Sequence, residues 1–333
     1  MIKAVRFFCL PFILFFFVPV FFTACSPEEH SIDFWAMDTY CEVTVYGGDC
    51  SSAENAVEQT EMLLRDSGGD SNTLFAYEKK EFEVPYDISN AINLSLDISY
   101  KTGGLFDITI APLSSLWDVS NRTAPPTENE IEEAKAFVGY EKLTVSGNKI
   151  IFSDYDMGID IGAIGKGLAA NKAVEALKKD GVEEAVVNLG GNVSVIGNKN
   201  GEGYKIGIRN PFSSGIAGYV TVSDTSVVTS GSYERNFIYE GKLYHHILNP
   251  FTGYPFENGL VSATVICDDS LVADSLSTAF FAVGEEGAKT LLEECSNYNI
   301  KGVILISESG RISLLGGAGE LFTLTGEGFS LEK

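Results

Sequence analysis

The run from Gly158 to Gly167, Gly-Ile-Asp-Ile-Gly-Ala-Ile-Gly-Lys-Gly, carries the strongest chemical pattern in the chain. An apolar strand leads into a glycine-rich turn, and a helix bearing Leu168, Ala169, Val174, Ala176 and Leu177 follows. Such a turn presents free backbone N–H groups and the positive end of a helix dipole to an anion, a phosphate above all. Lys166 adds a full positive charge, and Asp160 ends the strand with a carboxylate that can accept hydrogen bonds or stand beside a metal. The spacing is not that of a P-loop, which needs a glycine where Asp160 stands and a Ser or Thr where Gly167 stands. By itself the same run can also serve as a tight strand-to-helix connection.

Two further groups have chemistry to offer. Asp274 and Thr278 are four apart in an expected helix Ser270–Val283 and so share one face. The rest of that helix is nearly all apolar or small, including Leu271, Leu276, Phe280 and Phe281. A carboxylate buried there needs neutralising. A hard cation such as Mg²⁺, taking the carboxylate and the hydroxyl as oxygen ligands, meets that need; a cap on a neighbouring loop is the other reading. The second group is Ser230 to Arg235 followed by Tyr244 to Pro255, with His245 and His246 adjacent. Neighbours on a strand point to opposite faces, so the expectation is one histidine facing a pocket and one packing inside. Glu234 and Arg235 read most simply as a structural ion pair.

These residues must be held by a fold, and the chain is long enough for a substantial core. It opens with Lys3 and Arg6, an apolar run from Phe7 to Phe22, and then Thr23-Ala24-Cys25-Ser26-Pro27. The run falls short of the roughly 20 residues a spanning helix needs. It has the form of a secretory leader, residues 1–24, cut before a Cys25 that becomes lipidated, as in bacterial lipoproteins. Residues 25–31 then form a polar spacer and residues 32–333 one domain. Removing the leader takes away two basic residues and no acidic one, deepening a formal charge that is already −23. That balance excludes nucleic acid as a partner and binding to anionic lipid by charge. A phosphate must therefore be held by local donors or a metal. Cys41 and Cys267 sit in apolar strand-like runs and read as buried thiols, with a Cys41–Cys50 or Cys267–Cys295 disulfide as the alternative outside the cytoplasm.

The hydrophobic pattern predicts a strand over 34–46, a helix to about Arg65 and a helix over 88–102. A short helix at Leu113–Trp117 and an acidic helix opening at Pro125–Glu130 come next. Strands follow at 149–152, 185–189, 204–208, 218–222 and 261–267, then helices at 270–283 and 287–297, and strands at 302–306 and 312–315. That order is an α+β layout of mixed sheets flanked by helices, without repeats or long linkers.

Seven motifs in order resemble the bacterial FAD:protein FMN transferases, the ApbE-like flavin-trafficking lipoproteins. They are Met37-Asp38-Thr39, Phe106-Asp107-Ile108-Thr109, Asp160 to Gly167, Val187 to Gly191, Ser230 to Arg235, His245 to Pro255 and Ala273 to Thr278. The resemblance spans the mature chain and implies a single large ApbE-like (T-fold-like) domain. It implies an enzyme that binds FAD and, with Mg²⁺, transfers FMN to a Thr hydroxyl of a partner flavoprotein and releases AMP. The acceptor would belong to a membrane redox complex of the Nqr/Rnf type, reached from the outer, periplasmic side of the cytoplasmic membrane. Some members instead hydrolyse FAD, so an FAD pyrophosphatase is the alternative, and a non-catalytic flavin-binding lipoprotein a third. The resemblance assigns Mg²⁺ to the Ala163 carbonyl and the side chains of Asp274 and Thr278. It puts Lys166 and Asp160 on the FAD, with Met37, His246 and Ile247 lining its site, and leaves Asp160 or His246 to accept the incoming hydroxyl's proton. The chain departs from the family at Leu63 to Ser67, where an aromatic residue is usual. It departs also at Asn192 and Asn249 in place of Asp, and at Phe251 in place of Arg.

Overall fold

The computed structural model describes residues 29–332 apart from residues 38, 48–49, 67–72 and 200, with residues 50 and 63–66 described in backbone only. The expected leader, Cys25, Asp38 and the loop through Ser67 lie outside the described residues.

In chain order the first elements are β1 (Glu29–Ala36), β2 (Thr39–Tyr46), α1 (Cys50–Asp66), β3 (Thr73–Phe75), β4 (Glu81–Glu83) and α2 (Tyr86–Lys101). There follow α3 (Ala111–Trp117), α4 (Glu128–Lys135), β5 (Leu143–Ser146), β6 (Lys149–Phe152), β7 (Gly158–Asp160) and α5 (Gly165–Lys179). The middle of the chain is all strand: β8 (Ala185–Leu189), β9 (Asn192–Ile196), β10 (Tyr204–Arg209), β11 (Ile216–Val222), β12 (Thr225–Gly231), β13 (Asn236–Tyr239), β14 (Lys242–His245) and β15 (Leu260–Cys267). The chain closes with α6 (Ser270–Glu294), β16 (Ile300–Ser307), β17 (Arg311–Gly316), α7 (Ala318–Leu321), β18 (Phe322–Leu324) and β19 (Ser330–Leu331).

Nine strands form one sheet in the order β1-β2-β8-β9-β12-β15-β16-β17-β19, every pair antiparallel except the last. Both faces are covered, and the strands alternate accordingly. Val303 and Leu305 of β16 enter the larger core, with α1, α5 and α6, while Ile304 and Ile306 enter a second core under β10, β11 and β18. A third cluster, around Leu113, Trp117, Ile131 and Leu248, joins α3 and α4 to the segment after β14. The result is the expected α+β layout.

Two elements differ from expectation. The strand predicted over 34–46 is a hairpin, β1 against β2, with Ala36 paired to Thr39. Met37 turns the chain there with a φ of 51°, and β1 already begins at Glu29, inside the presumed spacer. The last two helices run into one another as α6, interrupted only at Gly284, whose φ of 69° breaks the helical path where glycine alone is unstrained. Cys41, Cys267 and Cys295 are buried free thiols, so neither disulfide involving them forms. Among the described residues no helix is long and apolar enough to cross a membrane.

Candidate active site

A cleft of about 290 Å³ lies where α5, α6, β12 and the third cluster converge. Asp160, Ala163, Lys166, His246, Ile247, Asp274 and Thr278 all line it. Met37 does not, but its Sδ–Cε end packs at the first residue of α5, near where a Cβ on Gly165 would lie.

The placement of these groups follows from how α5 and α6 meet. Asp269 caps α6 by accepting from the N–H groups of Leu271 and Val272, and Asn171 of α5 donates to the same carboxylate at 2.8 Å. Asn171 also accepts from Ser270 N–H at 2.9 Å, so the start of α6 is tied to the second turn of α5. One turn on, Gly167 N–H donates to Asp274 Oδ2 at 2.7 Å. In a continuous helix that N–H would point at the carbonyl of Ala163, four residues earlier. α5 begins only at Gly165, so this first-turn N–H has no acceptor inside the helix and is met by Asp274, while Ala163 lies outside α5 and lines the cleft.

Asp274 is 3 % exposed, and burial pushes its carboxyl up to about 6, against the pull of Lys166 and the Gly167 N–H; the charge of Glu234 pushes the same way as burial. A cation would supply what this carboxylate lacks. Among the described residues no three His, Cys, Asp or Glu side chains gather to hold a metal. A site made of one carboxylate, the Thr278 hydroxyl and a backbone carbonyl suits a hard ion that keeps positions for water and phosphate, as Mg²⁺ does. The donor set fits.

Asp160 is otherwise engaged. Its Oδ1 accepts from Gly162 N–H at 2.8 Å, capping the short 3₁₀ turn Ile161–Ala163, and its Oδ2 accepts from the Ser114 hydroxyl at 2.6 Å. It thereby shapes the turn that carries the Ala163 carbonyl. The two histidines separate. His245 is buried, donates from Nε2 to the Phe256 carbonyl at 3.0 Å and meets Phe281 edge-on. His246 is half-buried at the cleft and places Nδ1 3.3 Å from the Arg235 carbonyl. A carbonyl only accepts, so Nδ1 carries the proton and Nε2 keeps a lone pair. Desolvation first, then the charges of Arg235 and His245, drive His246 down to about 3.

Glu234 and Arg235 form no ion pair within 4 Å, contrary to expectation, although both line the cleft. Desolvation raises the Glu234 carboxyl, while Lys166, Arg235 and Arg209 hold it back. The sequence alone assigns no role to Ser230, whose hydroxyl lies 2.9 Å from Thr278 Oγ1, or to the wall residues Asp107, Ser114 and Trp117. Asp107 belongs to the Phe106–Thr109 motif. Its buried carboxyl, raised to about 6 by burial, accepts from Thr109 N–H and hydroxyl and from Tyr140 N–H, which ties the wall to the loop after α4. None of Asn192, Asn249 and Phe251 lines the cleft. Asn249 closes a turn by accepting from Phe251 and Thr252 N–H, Phe251 is 60 % exposed, and Asn192 accepts from the Ser270 hydroxyl at 2.8 Å.

Comparison with known proteins places the fold in a family. A model of the ApbE family matches residues 37–303. The chain is 30% identical over 298 residues to the FAD:protein FMN transferase of Treponema pallidum, covering 80% of this chain and 82% of that one. The FAD:protein FMN transferase of Salmonella typhimurium is 29% identical over 291 residues, covering 81% and 83%. Among solved structures, the ApbE protein of Thermotoga maritima superposes with a TM-score of 0.76 at 27% identity, over 86% of this chain and 96% of that one. The flavin transferase ApbE of Vibrio cholerae shares the fold, with a TM-score of 0.74 at 22% identity over 89% and 99%.

Proposed function

The chain belongs to the ApbE family, and from that premise we propose that it is an Mg²⁺-dependent FAD:protein FMN transferase. It would move FMN from FAD to a Thr hydroxyl of an acceptor flavoprotein and release AMP. The observation that carries the reading is the buried carboxylate of Asp274, facing Lys166 across a cleft that also holds Thr278 and the Ala163 carbonyl.

Asp274, Thr278 and the Ala163 carbonyl would hold Mg²⁺, which when bound offsets negative charge on the pyrophosphate. Lys166 sits at the first turn of α5, where its ammonium and the helix N-terminus face the same anion. The acceptor oxygen attacks the FMN phosphorus, the bond from that phosphorus to the bridging oxygen breaks, and AMP leaves with the electron pair. The hydroxyl's proton goes to His246 Nε2 rather than to Asp160. Both Asp160 oxygens are committed to Ser114 and Gly162, whereas Nε2 has no proton of its own. An arriving pyrophosphate offsets the positive charges of Arg235 and Lys166 that depress His246, so its basicity rises with substrate in place.

We place the enzyme on a lipid carried by Cys25, outside the cytoplasmic membrane, serving a flavoprotein of an Nqr/Rnf-type redox complex. The leader pattern of residues 1–24 supports this, and Cys25→Ser, which removes the lipid site, should release the protein from the membrane fraction. The activity is tested with FAD and Mg²⁺, with and without an acceptor flavoprotein, following AMP, free FMN and protein-bound flavin. AMP with covalent flavin only when acceptor is present supports the transferase. AMP with free FMN and no acceptor makes it a pyrophosphatase, and bound, intact FAD without AMP overturns both.

A further inference from the structure

We infer that Ser230 is a positioning residue that turns the Thr278 hydroxyl into a lone-pair-only donor toward the cation. The inference rests on the proposed cation at Ala163, Asp274 and Thr278, and it follows from counting protons. Three short contacts link four oxygens. Ser277 Oγ lies 2.8 Å from the Asp274 carbonyl, Ser230 Oγ lies 2.7 Å from Ser277 Oγ, and Ser230 Oγ lies 2.9 Å from Thr278 Oγ1. Three hydroxyl protons are available, one from each side chain.

Only one arrangement puts a proton in every contact. The carbonyl has none to give, so the Ser277 proton fills the first. Ser277 can then only accept from Ser230, and the Ser230 proton fills the second. Ser230 has no proton left for Thr278, so Thr278 must donate to Ser230. Any other arrangement leaves two oxygens facing one another at hydrogen-bond distance without a proton between them. The Thr278 proton is thus held toward β12, and the remaining lone pairs of Oγ1 are free for the cleft.

A hydroxyl that ligates a hard cation must turn its hydrogen away from the metal, and here the acceptor for that hydrogen is already built. The chain of hydroxyls also ends on the backbone of Asp274, so the two side-chain ligands are fixed to one another through β12. Ser277 is fully buried and does not line the cleft. Its hydroxyl acts through Ser230 and the Asp274 backbone, which separates the relay from any direct contact with substrate.

The test is Mn²⁺ binding to the purified protein without FAD or acceptor, read as free Mn²⁺ by electron paramagnetic resonance, with metal-free melting of each variant alongside. Ser230→Ala should raise the Mn²⁺ dissociation constant about 10-fold or more, and Ser277→Ala at least about 3-fold. Ser230→Thr, which keeps a hydroxyl, should stay close to wild type. If Ser230→Ala does not fold, Ser277→Ala against Ser230→Thr decides the same question. Wild-type affinity in Ser277→Ala or in a folded Ser230→Ala overturns the relay alone. A wild-type protein that binds no Mn²⁺ overturns the relay together with the cation reading beneath it.

Discussion

Gly167 and Asp274 approach so closely that no side chain fits between them: a Cβ on Gly167 would lie 2.7 Å from the Asp274 Cβ and 2.4 Å from the Ser270 carbonyl oxygen. The second distance is to backbone, which cannot swing aside. The requirement for glycine at this position is therefore one of helix–helix distance, and the contact at stake is the one that orients the proposed metal carboxylate.

Gly167→Ala should push α5 and α6 apart. Overpacking of this kind costs about 1–3 kcal/mol, and the Gly167 N–H loses its reach to Asp274 as well. We expect a lower melting temperature and a loss of AMP release larger than the destabilisation explains. Thermal unfolding with an FAD turnover assay on the same preparation checks it. Unchanged turnover in a folded variant would show that the helix spacing does not set the carboxylate.

Asp274→Asn should abolish turnover and yet stabilise the metal-free protein. Asp274 titrates near 3.8 in the unfolded chain and at about 6 in the fold. A folded-state value raised in this way contributes stability below the unfolded value, and that contribution is lost as pH rises through about 6. At neutral pH and above, the metal-free fold thus carries a buried charge whose penalty is on the order of 3 kcal/mol. The variant should melt higher than wild type at about pH 8 in chelator and equally with it at about pH 4, where wild-type Asp274 is itself protonated. A variant no more stable than wild type at the higher pH would contradict this account of the carboxylate.

Much of this architecture is legible in the chain because one physical signal dominates each piece. The strands at 149–152 and 185–189 have the observed bounds, since short apolar runs between turn residues leave little choice. The β1–β2 hairpin is not legible. Alternation is the same in a strand and its returning partner, and the turn falls at Met37 rather than at glycine or proline. The cleft is partly legible for a related reason. Asp274 and Thr278 declare themselves by helical spacing, but Ser230 meets Ser277 and Thr278 across 47 and 48 residues of chain, a contact no local pattern encodes. The missing Glu234–Arg235 ion pair is the converse case, adjacency in sequence without contact in space.

Lys166→Ala should leave the fold nearly intact and remove most of the turnover. Lys166 has no ion-pair partner within 4 Å among the described residues, so little structure depends on it, yet its charge favours the ionised forms of Asp274 and Glu234. Without it both carboxyls should titrate higher, and the Mn²⁺ dissociation constant should become more sensitive to pH below neutrality. A melting temperature within a few degrees of wild type, with AMP release down about 100-fold or more, is the expected result. A variant that fails to fold would make Lys166 structural.

His246→Gln separates catalysis from acid sensitivity through a shift opposite in sign to that of Asp274. The unfolded chain binds a proton at His246 near 6.5, while the fold, by desolvating the ring beside Arg235 and His245, refuses it down to about 3. The depressed value means stability present above 6.5 and lost as pH falls below it, because only the unfolded state gains the proton. His246→Gln should therefore lose less stability than wild type between about pH 7 and pH 5. Turnover at saturating FAD should fall by roughly 10²–10⁴-fold, the usual contribution of a positioned proton acceptor. Mn²⁺ affinity should not change, because His246 supplies no ligand in the proposed site. If the variant kept wild-type turnover, the proton would have to leave by another group, and Asp160, freed from Ser114 on substrate binding, would be the next to replace.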